Sequence, residues 1–329
     1  MRIFVAGASG AIGKRLVPLL VENGHAVVGT TRSPEKVESL RAGGAEPAVV
    51  DLLDPEAVTA AVRSARPEVV VHEATALATT SLTNMRKFDD EFAPTNRLRI
   101  EGTDHLLAAA RTAGAHRFVA QSFAGWPYAR EGGPVKSEDD PLDPNPPKAM
   151  RRTLAAIGHL ETVVVGVEGI EGVVLRYGGL YGPGTSLSTG EGDIYVDQIR
   201  KRRFPVVGGG GGLWSFVHID DAVSATLAAI ERGTRGIYNI VDDEPAPVSE
   251  WLPALAMAVG AKPPRRIPAR LGRLLAGQAA LAVMTEARGA ANAKAKRELA
   301  WQPQYASWRQ GFREGLAPPS KEATDAQSD

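Results

Sequence analysis

Short apolar runs alternate along the chain with stretches in which apolar residues return every three or four positions. The runs predict strands at Ile3–Ala6, Ala26–Thr30, Ala48–Val50, Val69–His72, Arg117–Gln121 and Gly172–Arg176. The periodic stretches predict helices at Ile12–Asn23, Pro34–Ala42, Pro55–Ala65, Asn96–Ala113 and Lys148–Val165. Alternation of this kind builds βαβ units, and strands made almost wholly of Val and Ala call for burial on both faces. The expected fold is α/β, a doubly wound parallel sheet.

After Arg176 the rhythm loosens into glycine-rich turns at Gly178–Gly184 and Gly208–Gly212, a further strand at Gly236–Val241, and helices at Val248–Val259 and Pro268–Met284. This predicts a sheet domain over residues 1–177, to which a segment of about 214–241 returns, and a smaller C-terminal substrate lobe over 178–315. The polar, apolar-poor end, 316–329, is expected to be a disordered tail.

Composition narrows what such a fold could bind. Lys plus Arg and Asp plus Glu balance at 38 each over 329 residues, so no charge excess draws the chain to nucleic acid or an anionic membrane, and a small ligand is expected. Cysteine is absent, which excludes disulfides, thiolate metal sites and a cysteine nucleophile and agrees with a cytoplasmic location. The glycines that interrupt MRIFVAGASGAIG argue against a secretory leader, and Leu271–Met284 is broken by Arg273 and Gln278 and too short to span a bilayer. No His/Asp/Glu cluster has metal-ligand spacing, so no metal site is expected. Neither G-x-S-x-G nor Walker spacing is present.

The strongest chemical signal lies directly after the first predicted strand. Gly7, Gly10 and Gly13 stand as G-x-x-G-x-x-G before a predicted helix, with Ser9, Ala11 and Ile12 between them. In that setting the first glycine permits a tight turn, the second admits a pyrophosphate to the backbone, and the third lets helix and strand pack closely. The helix N-terminus then faces the phosphates of a dinucleotide. The second strand runs into Thr30, Thr31 and Arg32, where a carboxylate would select a free ribose hydroxyl. Without that acid, Thr31 and Arg32 favour a 2′-phosphate and hence NADP(H) over NAD(H), although Arg32 at a helix start also suits plain solvation. Asp51, followed by Leu52, is placed either to meet the adenine amino group or to cap the helix near Pro55.

These segments, together with VVVHEAT, NRLRIEGTDHLLAAARTAG, RFVAQS, LRYGGLYGPGT, FVHIDDAVSATLAAI and GIYNIVDDEP, resemble the extended short-chain dehydrogenase/reductases, the NAD-dependent epimerase/dehydratase family, over nearly the whole chain. The resemblance implies an NAD(P)-binding Rossmann domain, a lobe that closes over a small substrate, a cofactor path past Ala74, and pairing into a homodimer through Asn96–Ala113 and Lys148–Val165. It also implies a proton relay made of a serine, here Ser122, and a Tyr-x-x-x-Lys pair on the next helix. The pair is missing. In KAMRRTLAAIGHLE the corresponding positions are Met150 and Leu154, or Thr153 and Ile157, depending on the alignment.

Among substitutes, Tyr128 follows Ser122 by six residues and would either polarise a substrate carbonyl above the nicotinamide or, with Trp126, wall the pocket. Lys148, Arg151 and Arg152 suit either a contact to the cofactor ribose or a substrate oxygen or a solvated helix face. His218, before two acids, suits a base, whereas the resemblance implies a strand-to-helix junction capped by Asp220 or Asp221. Asn96 suits a helix cap, and Tyr181, in a turn that the resemblance places at the cofactor's nicotinamide end, and Tyr177 suit turn packing. The expected activity is an NADP(H)-dependent reduction of a small carbonyl, enone or imine-type metabolite through Ser122 and Tyr128, by an atypical relay. An activated acceptor can take its proton from water. The alternatives are a cofactor-retaining epimerase, isomerase or lyase, and a non-catalytic NADP(H) sensor.

Overall fold

In the computed structural model, residues 1–77, 84–189 and 194–317 are described. Seven parallel strands form the central sheet: β1 (Arg2–Ala6), β2 (Ala26–Thr31), β3 (Glu46–Val49), β4 (Val69–His72), β5 (Arg117–Phe123), β6 (Glu171–Tyr177) and β7 (Gly236–Ile240). Their spatial order is 7-6-5-4-1-2-3. The direction of winding reverses between β1 and β4, and ligands of open α/β sheets lie outside the strand ends at such a reversal.

Helices cover both faces, as the uniformly apolar strands require. α1 (Gly13–Glu22) and α6 (Ile219–Arg232) bury Leu16, Leu20, Ala222 and Ile230 against Ile3, Val5, Val71 and Val173. On the other face α3 (Pro55–Ala65), α4 (Thr103–Ala113) and α5 (Arg151–Gly166) bury Val58, Val62, Leu106, Leu160 and Val164 against Phe4, Val70, Phe118 and Val174. A short helix, α2 (Val37–Ala42), leads into β3.

The helix expected to open at Asn96 opens earlier, at Ala93, and passes through a π-turn at Leu98–Gly102 before continuing as α4. Asn96 is therefore an interior residue and not a cap; its backbone N–H bonds to Phe92 O and its side chain donates to Thr153 Oγ1 at 3.0 Å. Apolar periodicity alone could not show this. Phe88 and Phe92 supply an apolar anchor upstream, and a π-turn shifts the period without erasing it.

The C-terminal lobe has its own core, where Trp251, Leu252 and Leu255 of α7 (Val248–Ala258) meet Phe216, Tyr181, and Trp308 and Phe312 of α9 (Trp308–Glu314). α8 (Ala269–Thr285) is kinked at Gly277, which takes φ +89°. Leu316 is buried in this core and its carbonyl accepts from Thr189 N, so the chain is still packed where the tail was expected to begin; residues 318–329 lie outside the described residues. Beyond β7, Ala295, Leu299 and Trp301 also pack back onto the α1/α6 face of the sheet. No helix among the described residues is long and apolar enough to cross a membrane.

Candidate functional site

The loop between β1 and α1 is fixed by backbone crowding. Gly7 has φ +89°, and a Cβ there would lie 2.7 Å from Ala74 N and from the Glu73 carbonyl carbon. A Cβ on Gly13 would lie 2.4 Å from Gly7 O and 2.6 Å from Ala8 Cα. Both glycines thus do what the motif predicts, the first turning the chain against the end of β4 and the third seating the helix on the strand.

The face left open suits a pyrophosphate. α1 has no acidic residue in its first turn, and Ile12 at its N-cap offers no side-chain acceptor, so, although Lys14 N and Arg15 N donate to Gly10 O and Ile12 O, the helix dipole favours an anion there. Gly10 and Ala11 are exposed on that face and Ser9 is half-buried beside them. These residues fit a nicotinamide dinucleotide, which supplies or takes up hydride when bound.

Around the loop, the remaining predicted contacts divide. Thr31 is buried, and its hydroxyl accepts from Ser9 Oγ at 3.1 Å and from Ser33 N at 3.1 Å. Gly7 N donates in turn to Thr30 Oγ1. Thr31 therefore ties the glycine loop to β2 instead of offering a free hydroxyl, and Arg32 is exposed at the strand end. Asp51 does not cap α3: that role falls to Asp54, which accepts from Glu56 N and Ala57 N, whereas Asp51 closes its own turn onto Leu53 N. Asp51 is exposed in this Asx turn, and Leu52 beside it is buried and accepts from His105 through its carbonyl.

On the nicotinamide side α5 resolves the choice of alignment. Thr153, Ile157 and Glu161 share one buried face, and Glu161 accepts from Ser122 Oγ at 2.7 Å. Thr153 and Ile157, four apart on the face toward Ser122, thus stand where the relay pair would project. Thr153 is engaged elsewhere: its hydroxyl and backbone N–H both donate to Asp89 Oδ1, and Arg152 N donates to Asp89 Oδ2, so Asp89 caps the start of α5. Lys148, Arg151 and Arg152 are exposed, as a solvated face requires.

Ser122 is buried, and its hydroxyl donates to Glu161, which also receives Nε and Nη2 of Arg176 at 2.8 and 2.7 Å. Burial acts to lower Arg176, but the hydrogen bonds and charge of Glu161 outweigh it and hold the guanidinium above its ordinary value. Tyr128 does not overhang the cofactor path. It is 1% exposed, its hydroxyl donates to Asn239 Oδ1 and accepts from Arg176, and its ring stacks under the same guanidinium. Burial pushes its phenol up to about 12. The expectation that Tyr128 polarises a substrate is corrected: the Tyr128–Leu142 β-bridge draws it into the fold, while Trp126 alone of the two remains half-buried, beside Arg130, Met150 and Val283.

His218 itself caps α6, accepting from Asp220 N, which corrects the assignment of that cap to Asp220 or Asp221; Asp221 instead accepts from Gln304 N and Tyr305 N. Tyr181 is fully buried in the lobe core and Tyr177 bonds Glu73 and Thr226, so both are packing residues.

Glu73 and Asp242 escaped the sequence reading as titrating groups because nothing local marks them. Glu73, directly after β4, is buried and raised by desolvation to about 8 from the usual 4.5. His72 is lowered by burial to about 4. Asp242, past β7, is raised by burial to about 8. Glu73 and Asp242 keep protons in the folded chain that the unfolded chain releases, so stability falls as pH rises toward 8. His72 acts with the opposite sign, and only between about pH 4 and 6.5. Above pH 6.5 the carboxyls act alone, and the melting temperature is expected to drop from pH 6.5 to 8, by about 2 kcal/mol of stability per carboxyl. Calorimetry on Glu73→Gln should show a flatter profile; an unchanged slope would remove Glu73 from the account.

A profile of the NAD dependent epimerase/dehydratase family matches residues 3–241. The chain is 46% identical to a 3-diazoavenalumate denitrifying reductase of Streptomyces sp over 316 residues, covering 95% of this chain and 99% of that protein. It is 31% identical to a 4-hydroxy-2-methyl-3-oxo-4-farnesyl-3,4-dihydroquinoline-1-oxide ketoreductase of Stigmatella aurantiaca, over 80% of this chain and 74% of that one. Among solved structures, a Thermus thermophilus UDP-glucose 4-epimerase in complex with NAD superposes with a TM-score of 0.71 at 26% identity, covering 96% and 98% of the two chains.

Proposed function

This chain belongs to the NAD-dependent epimerase/dehydratase family and is an NAD(P)-dependent oxidoreductase; from that premise we propose that it reduces an electron-poor diazo acceptor of aryl type, with NADPH as the preferred donor. The observation that carries the reading is that the hydroxyls at these positions are already spent on buried carboxylates. Ser122 gives its proton to Glu161, Thr153 gives its own to Asp89, and position 157 is isoleucine. A carbonyl gathers negative charge on oxygen as hydride arrives and gains from an acid placed there. An arenediazonium does not: hydride enters, the C–N bond breaks, N2 departs and the positive charge is cancelled. The diazo substrate in the name of the 46% identical Streptomyces reductase supports the same class. Epimerisation with a retained cofactor starts by taking a proton from a hydroxyl, and the Thr153 and Ile157 positions offer no base for it.

Within this reading Ser122, its hydroxyl donating to Glu161, does not act as an acid, Trp126 supplies an apolar wall for an aromatic ring, and Arg32 holds the 2′-phosphate. The test is anaerobic turnover of a substituted arenediazonium with NADPH or NADH, by wild type and Arg32→Ala, counting N2 against oxidised cofactor and subtracting the uncatalysed rate. One N2 per NADPH is expected, together with inert simple ketones and enones. Arg32→Ala should weaken NADPH about tenfold or more and leave NADH unchanged. Turnover of ketones but not diazo compounds would overturn the acceptor class, and an equal loss for both cofactors would overturn the NADPH preference.

A further inference from the structure

Arg99 is the most unusual charge in the molecule. It lies on the π-turn, is 5% exposed, and neither its Nε nor its Nη1 has a hydrogen-bond partner. A buried guanidinium normally satisfies its donors, because leaving them bare forfeits hydration without replacing it. Burial lowers Arg99 to about 10, and Glu161 is the charge that offsets this, without a hydrogen bond between the two. On its other side is His72, the last residue of β4, whose Nε2 sits 3.2 Å from Leu98 O. Arg99 is thus bracketed by the end of β4 and by the face of α5 that carries Ile157 and Glu161.

Two observations point to a ligand. The π-turn widens the helix at the residues that face the sheet ends, a distortion common at functional sites. The residues that follow His72, Glu73 and Ala74, touch the glycine loop, so the bracket lies at the crevice where winding reverses. At that crevice α5 carries no cation on its buried face, and the lysine of the Tyr-x-x-x-Lys pair that the resemblance implies is missing there.

We propose that Arg99 supplies this cation from the opposite wall, donating through its unpaired nitrogens to the nicotinamide ribose of the bound dinucleotide. The cation has changed helices: α5 contributes Ile157 and the π-turn contributes the charge. The assignment concerns binding and is independent of which acceptor is reduced.

The experiment measures dissociation constants by calorimetry for NADPH, ADP-ribose and 5′-ADP, on wild type, Arg99→Met and Arg99→Gln, with thermal melts to verify folding. NADPH and ADP-ribose both contain the second ribose and are expected to weaken on the order of tenfold in either variant, while 5′-ADP, which lacks it, binds as in wild type. Adding Ile157→Lys to Arg99→Met should recover part of the loss for NADPH and none for 5′-ADP. Equal weakening of all three ligands, or none in a folded variant, would overturn the proposal. So would unfolding of both variants, which would assign Arg99 to the fold.

Discussion

Gly13→Ala is expected to abolish measurable dinucleotide binding, a loss of at least a hundredfold, or about 3 kcal/mol. The added methyl would stand 2.4 Å from Gly7 O and 2.6 Å from Ala8 Cα, and both are backbone atoms that cannot rotate aside. Relief requires α1 to move off β1, which takes the first-turn amides away from the pyrophosphate and opens the contact of Leu16 and Leu20 with the sheet. The variant should also lose roughly 1–3 kcal/mol of stability, as overpacked sites do. Gly166→Ala is the control: nothing lies within 4 Å of its added methyl, and it should bind and melt within about 0.5 kcal/mol of wild type. Calorimetric titration with NADPH decides the matter, and binding by Gly13→Ala within tenfold of wild type would refute the crowding account.

The largest loss of stability is expected from Arg176→Met, about 3–5 kcal/mol, because the substitution leaves the Glu161 carboxylate buried with Ser122 as its remaining hydrogen-bond partner and only the unbonded Arg99 as a nearby charge. The same change removes the donor to the Tyr128 hydroxyl and the cation over its ring. Removing both charges should cost less than removing one. In Arg176→Met with Glu161→Leu no uncompensated carboxylate remains, and most of the loss should return. Ser122 is then released from Glu161 and free to turn its proton into the cleft. Urea unfolding of the two singles and the double gives the coupling; a double variant as unstable as the sum of the singles would show that the pair acts by packing and not by charge.

Much of the fold was legible in the chain because the signals that specify it are local. Strands of Val and Ala, helices of three-to-four period and their alternation fix a parallel sheet, since each element must bury its apolar face against the next. The glycine loop was legible for a related reason: φ +89° at Gly7 and the contact of Gly13 with the preceding turn are properties of a few adjacent residues. The missing tyrosine and lysine could likewise be read directly, because absence on a helix needs no partner to establish it.

What tertiary structure alone decided is where long-range partners meet. Ser122 finds Glu161 across 39 residues, and Tyr128 finds Asn239 across 111. Neither pairing leaves a trace in spacing, so the sequence could offer Tyr128 to a substrate while the folded chain spends it on Arg176. Asn96 changed from cap to interior residue, and Arg99, which no spacing marks, became a buried cation, because a π-turn shifts the helix's apolar period without erasing it. The chain determined its backbone path and the place where a dinucleotide lies, through local sterics and periodicity. The direction of each buried polar group was left to packing, since a desolvated donor takes the acceptor that the assembled elements bring within reach.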